Sequence, residues 1–205
     1  MEVLVAENVL DKEGDDMLES LQEKCDLFIQ NRQVMQNGFT WDYPAVKGLS
    51  AMLCTAGGKT VDISRIVSCR KVLRDALVEL GEVESQALIS AATLLVLTGE
   101  PEKVFRKMML LYQKIVDQGF QPSVYIMLTV LNIVKFKDES EFDTLVAQAA
   151  DAYAAVKSNE WFNSVDISDT YKQLFAVSFA EEDIDTYIEK TVQFATLVDP
   201  YPKSD

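Results

Sequence analysis

The sequence contains no histidine. Histidine is the commonest general base in enzymes and the commonest nitrogen ligand of zinc. Its absence excludes nucleophilic pairs of serine or cysteine with histidine, and it excludes the usual histidine-containing metal sites. No spacing of carboxylates, lysines or tyrosines resembles a catalytic site either. The sequence therefore predicts a protein that is not an enzyme and that uses no cofactor and no metal ion.

Cysteine is scarce as well, with only Cys25, Cys54 and Cys69 present. An odd number of widely spaced cysteines favours neither a disulfide framework nor a zinc site, and unpaired thiols are typical of a reducing compartment. Cys25 and Cys69 lie on predicted apolar stripes and Cys54 lies beside one, so we interpret all three as small hydrophobic residues. No apolar run reaches the roughly 20 residues that cross a bilayer. We expect a cytoplasmic protein that does not enter a membrane.

Positive charge is also in short supply, because 33 acidic residues outnumber 19 basic ones and give a formal net charge of −14. A surface of this sign repels nucleic acid and anionic lipid, so we expect neither as a partner. The basic residues concentrate in the middle of the chain, where residues 59–114 carry nine basic and seven acidic side chains.

Glycine and proline are few, at 8 and 5 residues, and most of them punctuate long segments. Between these stops the apolar residues recur at three- and four-residue spacing, which predicts helices. Asp42, for example, is placed to cap a helix that has Pro44 in its first turn and Val46, Leu49 and Leu53 as its apolar residues. The pattern predicts about nine helices and no strand.

The predicted helix ends are periodic along the chain. Longer helices are predicted to end near residues 38, 80, 119 and 161, and shorter, more apolar helices near residues 58, 99, 138 and 181, so both series advance by about 40 residues. One hairpin cannot bury its own apolar face, so neighbours must stack. The sequence predicts an all-α fold, a right-handed stack of antiparallel helical hairpins of the HEAT or TPR α-solenoid type. We expect a flexible tail over residues 1–13, one repeat domain over 14–198 and a second tail over 199–205.

Several helix boundaries and packing positions match those of a known family. They are Asn37, Gly38, Phe39, Trp41, Asp42, Val61, Asp62, Ile63, Ile66, Lys107, Met108, Tyr112, Ile115, Gly119 and Phe120. In these positions the sequence resembles an uncharacterised bacterial family, the domain of unknown function numbered four thousand and three. The resemblance covers about residues 37–162. It implies an all-helical bacterial protein, and it implies no particular catalytic residue.

Aromatic residues recur in the predicted turns, and Trp41, Tyr43 and Trp161 are candidates for contact with a partner. An exposed row of aromatic rings along one edge of a solenoid would form a binding ridge, because such rings dominate the energetics of interfaces. The alternative is that the turn aromatics staple each helix to the next.

A basic stripe is the second candidate site. Lys103, Lys107 and Lys114 lie within about 40° of one another on a helical wheel. Arg70 and Arg74 lie one turn apart on the preceding long helix and can neighbour the lysines if long helices stack side by side. The stripe can dock an acidic partner segment or a phosphate-bearing ligand. Otherwise it forms a solvated face that offsets nearby acidic residues.

These observations predict a non-catalytic helical-repeat binding module that recognises a protein or a peptide. The alternative is a binder of small molecules or lipids, with an apolar cavity between the second helices of the hairpins. The acidic clusters lie at predicted helix starts, where the helix dipole favours negative charge, so they do not by themselves indicate a metal site.

Overall fold

The computed structural model describes the backbone of residues 2–79, 87–165 and 167–198 and the side chains of residues 20–77, 87–165 and 167–198. Every regular element in these ranges is a helix, which confirms the predicted all-α class. The ten α-helices are α1 (Glu2–Gly38), α2 (Pro44–Ala56), α3 (Ile63–Glu79), α4 (Leu88–Leu97), α5 (Pro101–Asp117), α6 (Val124–Ile133), α7 (Phe142–Ser158), α8 (Glu160–Ser164), α9 (Asp169–Ser178) and α10 (Ile184–Val198). A short 3₁₀ helix, Glu139–Glu141, precedes α7.

Glycine marks three of the helix ends where the sequence predicts them. Gly58, Gly99 and Gly119 follow α2, α4 and α5 with φ angles of 62°, 83° and 92°. Glycine enters this left-handed region at little cost, whereas a side chain would be strained there. Pro101 occupies the first turn of α5, and the Ser123 hydroxyl caps α6 by accepting a hydrogen bond from a backbone N–H. The helix end predicted near residue 80 lies outside the described residues.

The backbone of α1 is helical from Glu2, and the predicted flexible tail over residues 1–13 stays a prediction. Two local features differ from the sequence predictions. The longer helix predicted to end near residue 161 is broken at Asn159, whose extended backbone and capping side chain end α7 and start the additional helix α8. Asp42 does not cap α2, because Tyr43 occupies the cap position without a side-chain hydrogen bond.

The chain forms two compact units. Unit 1 contains residues 1–76 and 84–99, and within it α2 packs against both α1 and α4. Unit 2 contains residues 77–83 and 100–205. Within it α5 packs against α6 and α7, and α9 packs against α6 and α7. The predicted single domain over residues 14–198 stays a prediction, and the predicted tail over residues 199–205 lies outside the described residues.

The most apolar helices provide core side chains in their own units. Ile89 and Leu95 of α4 are at most 1% exposed, and so are Ile126, Met127 and Leu131 of α6. Their large apolar side chains therefore occupy the interior. The predicted cavity for a small molecule or lipid between such helices stays a prediction.

Candidate binding surfaces

The turn between α1 and α2 places some of its side chains in the interior of unit 1 and others in solvent. Phe39 is buried, and so is the Asp42 carboxylate, whose two oxygens accept hydrogen bonds from the Arg70 guanidinium at 2.7 and 3.0 Å. The same turn directs Trp41 and Tyr43 outward, where they are 98% and 65% exposed. The exposed tryptophan thus belongs to a turn that is anchored on both sides by buried contacts.

The outer face of α2 continues the apolar character of this turn. Leu49 and Met52 are 45% and 56% exposed, and Ala45 and Ala56 share their face because the four residues follow helical spacing. The one charged side chain of α2, Lys47, is buried. We call Trp41, Tyr43, Leu49 and Met52 the α2 surface.

The sequence predicted the opposite orientation for part of α2. It placed Val46, Leu49 and Leu53 on the apolar stripe, but Leu49 is exposed and the other two are half-buried. The buried face carries instead Lys47, Ser50, Ala51 and Cys54. Small residues allow close approach of a helix on each side, and α2 packs against both α1 and α4. The recurrence of small residues at three- and four-residue spacing was the available sequence signal.

The basic candidates are largely engaged with acidic residues of their own unit. In unit 1, Arg70 forms an ion pair with Asp42, and Arg74 also has an interaction partner. In unit 2, Lys114 forms an ion pair with Asp143 at 2.6 Å, and Lys103 contacts Glu100 at 3.3 Å. These pairs reduce the positive field that the stripe can offer to a ligand. Its role in docking stays a prediction.

Lys107 also faces acidic neighbours within unit 2. The pKa of Glu141 is lowered mainly by the hydrogen bond from the Asp138 backbone N–H, and the charges of Lys137 and Lys107 lower it further. Lys107 therefore belongs to the electrostatic surroundings of the 3₁₀ helix.

Trp161, the third aromatic candidate, is half-buried in α8 of unit 2. Its ring meets the buried ring of Phe162 edge to face, with centroids 5.0 Å apart. This contact orients the indole, so part of the ring contributes to packing in unit 2. The remaining part lines a groove beside α10.

Tyr153 of α7 and Asp169 of α9 form a hydrogen-bonded pair of titratable groups in unit 2. The hydroxyl of Tyr153 donates a 2.6 Å hydrogen bond to Asp169. Burial and this contact raise the pKa of Tyr153, whereas the hydrogen bond from Tyr153 is the main cause that lowers the pKa of Asp169. These shifts keep the proton on the phenol at neutral pH. Burial also raises the pKa of the Cys54 thiol, the opposite of what activates a nucleophile.

The positions of the cysteines differ from the prediction. Cys54 is buried, Cys25 is exposed and Cys69 is half-buried, and no disulfide bond joins any of the three. The reason is that Cys54 lies on the small-residue face of α2, whereas Cys25 lies in a part of α1 where the neighbouring Leu21 is also 50% exposed. Within the described residues no three Cys, Asp or Glu side chains gather closely enough to hold a metal ion. Among the described helices none combines the length and apolarity that a membrane span requires.

Comparison with known proteins returns a family match. No curated protein and no solved structure matches the chain. Residues 31–194 match a family described as "Protein of unknown function (DUF4003)". The match includes α2 to α9, the α2 surface and both tryptophans. Since it spans most of the sequence, the chain belongs to the DUF4003 family of proteins of unknown function.

Proposed function

We propose that this protein is a non-catalytic helical-repeat module that binds a protein or peptide partner through the α2 surface. The observation that carries the proposal is the 98% exposure of Trp41 on an anchored turn. A tryptophan at such a position is the residue type most often found as a binding hot spot. Its burial by a partner contributes about 2–3 kcal/mol.

A packing role does not account for Trp41. Phe39, two positions earlier, is 4% exposed and already links the turn to the interior of unit 1. Asp42 is held by Arg70, so the ion pair orients the turn as well. The indole adds nothing to these contacts, and its exposure is consistent with recognition of a partner.

The composition of the α2 surface defines the partner chemistry. Its four side chains are uncharged, and the exposed apolar side chains of Leu49 and Met52 follow Trp41 and Tyr43 along the chain. A surface of this kind favours a partner segment that presents apolar side chains, such as one face of an amphipathic helix. We expect its affinity to depend only weakly on salt, because few charges are involved.

The proposal includes the right-handed hairpin stack of a HEAT or TPR solenoid. Support comes from the hydroxyl oxygens of Ser50 and Ser90, which lie 3.5 Å apart in unit 1 and are 40 positions apart along the chain. That separation equals the predicted repeat. In unit 2, the long helices α5 and α7 pack together, and so do the shorter α6 and α9. Corresponding helices of neighbouring hairpins are in contact in such a stack.

The proposal also places this protein in the bacterial cytoplasm. Its support is that no disulfide bond joins Cys25, Cys54 and Cys69, as is usual in a reducing compartment. The family resemblance supplies the bacterial source.

Affinity capture from the native cell tests the proposed binding surface. We expect Trp41→Ala to weaken capture of a stoichiometric partner by about 30-fold, which corresponds to about 2 kcal/mol. The matched control is Phe136→Ala, since Phe136 is 86% exposed in unit 2. A partner retained equally by wild type, Trp41→Ala and Met52→Ala would contradict binding at the α2 surface. Trp41→Ala and Met52→Ala should each unfold at the same denaturant concentration as the wild type, because neither side chain is buried.

A further inference from the structure

A groove in unit 2 separates α8 from α10 and has a volume of about 730 Å³. Its apolar floor includes Ile188 and Val192 of α10, which pack on the same core as Phe162. Trp161 lines one side, held in place by its edge-to-face contact with Phe162. The volume lies within the range of ordinary ligand pockets, so the groove accommodates more than one side chain.

Three exposed carboxylates surround this apolar floor. Glu160 lies at the start of α8, and Asp185 and Glu189 lie one turn apart on α10. None of the described residues that line the groove is a lysine or an arginine. The helix dipole accounts for negative charge in the first turn of α8 and of α10, but not for Glu189, which lies one turn further along α10.

The lysines nearest in sequence do not neutralise these carboxylates. The Lys157 ammonium lies 5.5 Å from the centroid of the Tyr153 ring, and the Lys190 ammonium lies 5.6 Å from that of Tyr187. Neither lysine lines the groove. In the described part of the chain, Glu160 and Asp185 form no ion pair, while Glu189 accepts a 3.1 Å hydrogen bond from the amide of Gln193. The groove therefore has an apolar floor and a rim with a net negative charge.

We propose that this groove binds a basic peptide segment, with an arginine side chain stacked on Trp161 and paired with the carboxylates. Arginine suits the site because its planar guanidinium stacks on aromatic rings and binds carboxylates through two hydrogen bonds. The apolar floor accommodates the methylene groups of the same side chain. The site is distinct from the α2 surface, and its ligand has the opposite character, so this inference does not depend on the proposed function.

The test uses a labelled peptide of alternating arginine and glycine, with its binding measured by fluorescence anisotropy. We expect the double variant Asp185→Asn with Glu189→Gln to weaken binding by about tenfold. The control is Glu102→Gln with Glu139→Gln, which removes two exposed carboxylates from helix starts elsewhere in unit 2 and changes the net charge equally. We expect this control to change affinity by less than about twofold.

A second measurement locates the peptide. The sequence has two tryptophans, so Trp41→Phe leaves Trp161 as the single tryptophan reporter. We expect its emission to change as the arginine peptide binds and to stay constant with a glutamate–glycine peptide. Equal weakening by both double variants, or peptide binding with no change in Trp161 emission, would overturn the proposal. The first result would mean general attraction to an acidic protein, and the second would mean binding elsewhere. Trp41→Ala tests the α2 surface separately.

Discussion

The side-chain oxygen of Asn31 accepts a hydrogen bond from the backbone N–H of Val61 at 2.9 Å, across 30 positions of the chain. The amide nitrogen of Asn31 donates to the backbone carbonyl of Lys59 at 2.9 Å and to the Thr55 hydroxyl at 3.1 Å. Asn31 has no exposed surface. It therefore joins α1 to the connection between α2 and α3, and it satisfies backbone groups that have no helical partner.

Replacement of Asn31 should strongly destabilise the protein. We expect Asn31→Ala to lower the free energy of unfolding by about 2–4 kcal/mol, because it removes the three hydrogen bonds of a fully buried amide, including those to the backbone of Lys59 and Val61. Urea unfolding at neutral pH measures the change. Gln30→Ala, at the exposed neighbouring position of α1, should change the free energy by less than about 0.5 kcal/mol. Equal effects of both variants would refute the role of the buried amide.

The ion pair between Asp42 and Arg70 should depend on the shape of the guanidinium as well as its charge. The Arg70 side chain is 27% exposed and that of Asp42 is 8% exposed. We expect Arg70→Ala to reduce the free energy of unfolding by about 2 kcal/mol, and Arg70→Lys by about 1 kcal/mol, because an ammonium cannot make both hydrogen bonds. Unfolding curves in guanidinium chloride would show the order of stability, with wild type most stable, Arg70→Lys next and Arg70→Ala least stable. Lys71→Ala, at the exposed neighbouring position, serves as the control. An Arg70→Lys variant with the same free energy of unfolding as the wild type would contradict the prediction.

The hydroxyl of Tyr112 is expected to stabilise the start of α6. It accepts a hydrogen bond from the backbone N–H of Ser123 at 2.9 Å, and Tyr112 is fully buried. Tyr112→Phe keeps the ring but leaves this N–H unsatisfied, so we expect a loss of about 1–2 kcal/mol in thermal or chemical unfolding. Tyr125→Phe alters a half-exposed tyrosine of α6 and should be close to neutral. If the two variants were equally stable, the contribution of the Tyr112 hydroxyl would be negligible.

Acid sensitivity should arise in part from Asp169. The hydrogen bond from Tyr153 is the main cause that lowers its pKa, with further contributions from Gln173 and from the charges of Lys157 and Lys172. A lowered folded-state pKa stabilises the protein above the unfolded pKa of about 4, and this stabilisation is lost as the pH falls through the folded value. Urea unfolding between about pH 5 and pH 3 should therefore show a smaller loss of stability for Tyr153→Phe than for wild type.

The exposed Tyr171 provides the control for this pH dependence. Tyr171→Phe makes the same chemical change elsewhere in unit 2 and should keep the wild-type acid dependence. An unaltered acid dependence in Tyr153→Phe would show that its hydroxyl does not lower the pKa of Asp169.

Helix ends were the most predictable feature because each depends on one or two residues. Gly119 adopts a positive φ, Pro101 fits a first turn that needs no N–H, and the Ser123 hydroxyl caps its own helix. The face of α2 that is buried was not predictable in this way. Leu49 and Cys54 each fit a helical stripe. Because α1 and α4 both pack against α2, the face with the smaller residue, Cys54, is the one in the contact.

The candidate sites were predictable as residue types and not as surfaces. The aromatic turns were evident, but Phe39 is buried while Trp41 is exposed. The basic stripe was evident too, yet Lys114 pairs with Asp143, 29 positions away. The groove beside Trp161 had no local signal in the sequence, because its lining residues come from three helices, α7, α8 and α10.

The all-helical class, most helix boundaries, the acidic net charge and the absence of histidine chemistry follow from the amino-acid sequence alone. These properties depend on composition or on contacts within about four residues, and such contacts form in any helix. Tertiary structure alone decided that Trp41 faces water, that Asp42 holds Arg70 and that three carboxylates surround the groove in unit 2. Those outcomes require residues far apart in the chain to meet, and the meeting points follow from how closely neighbouring helices can pack.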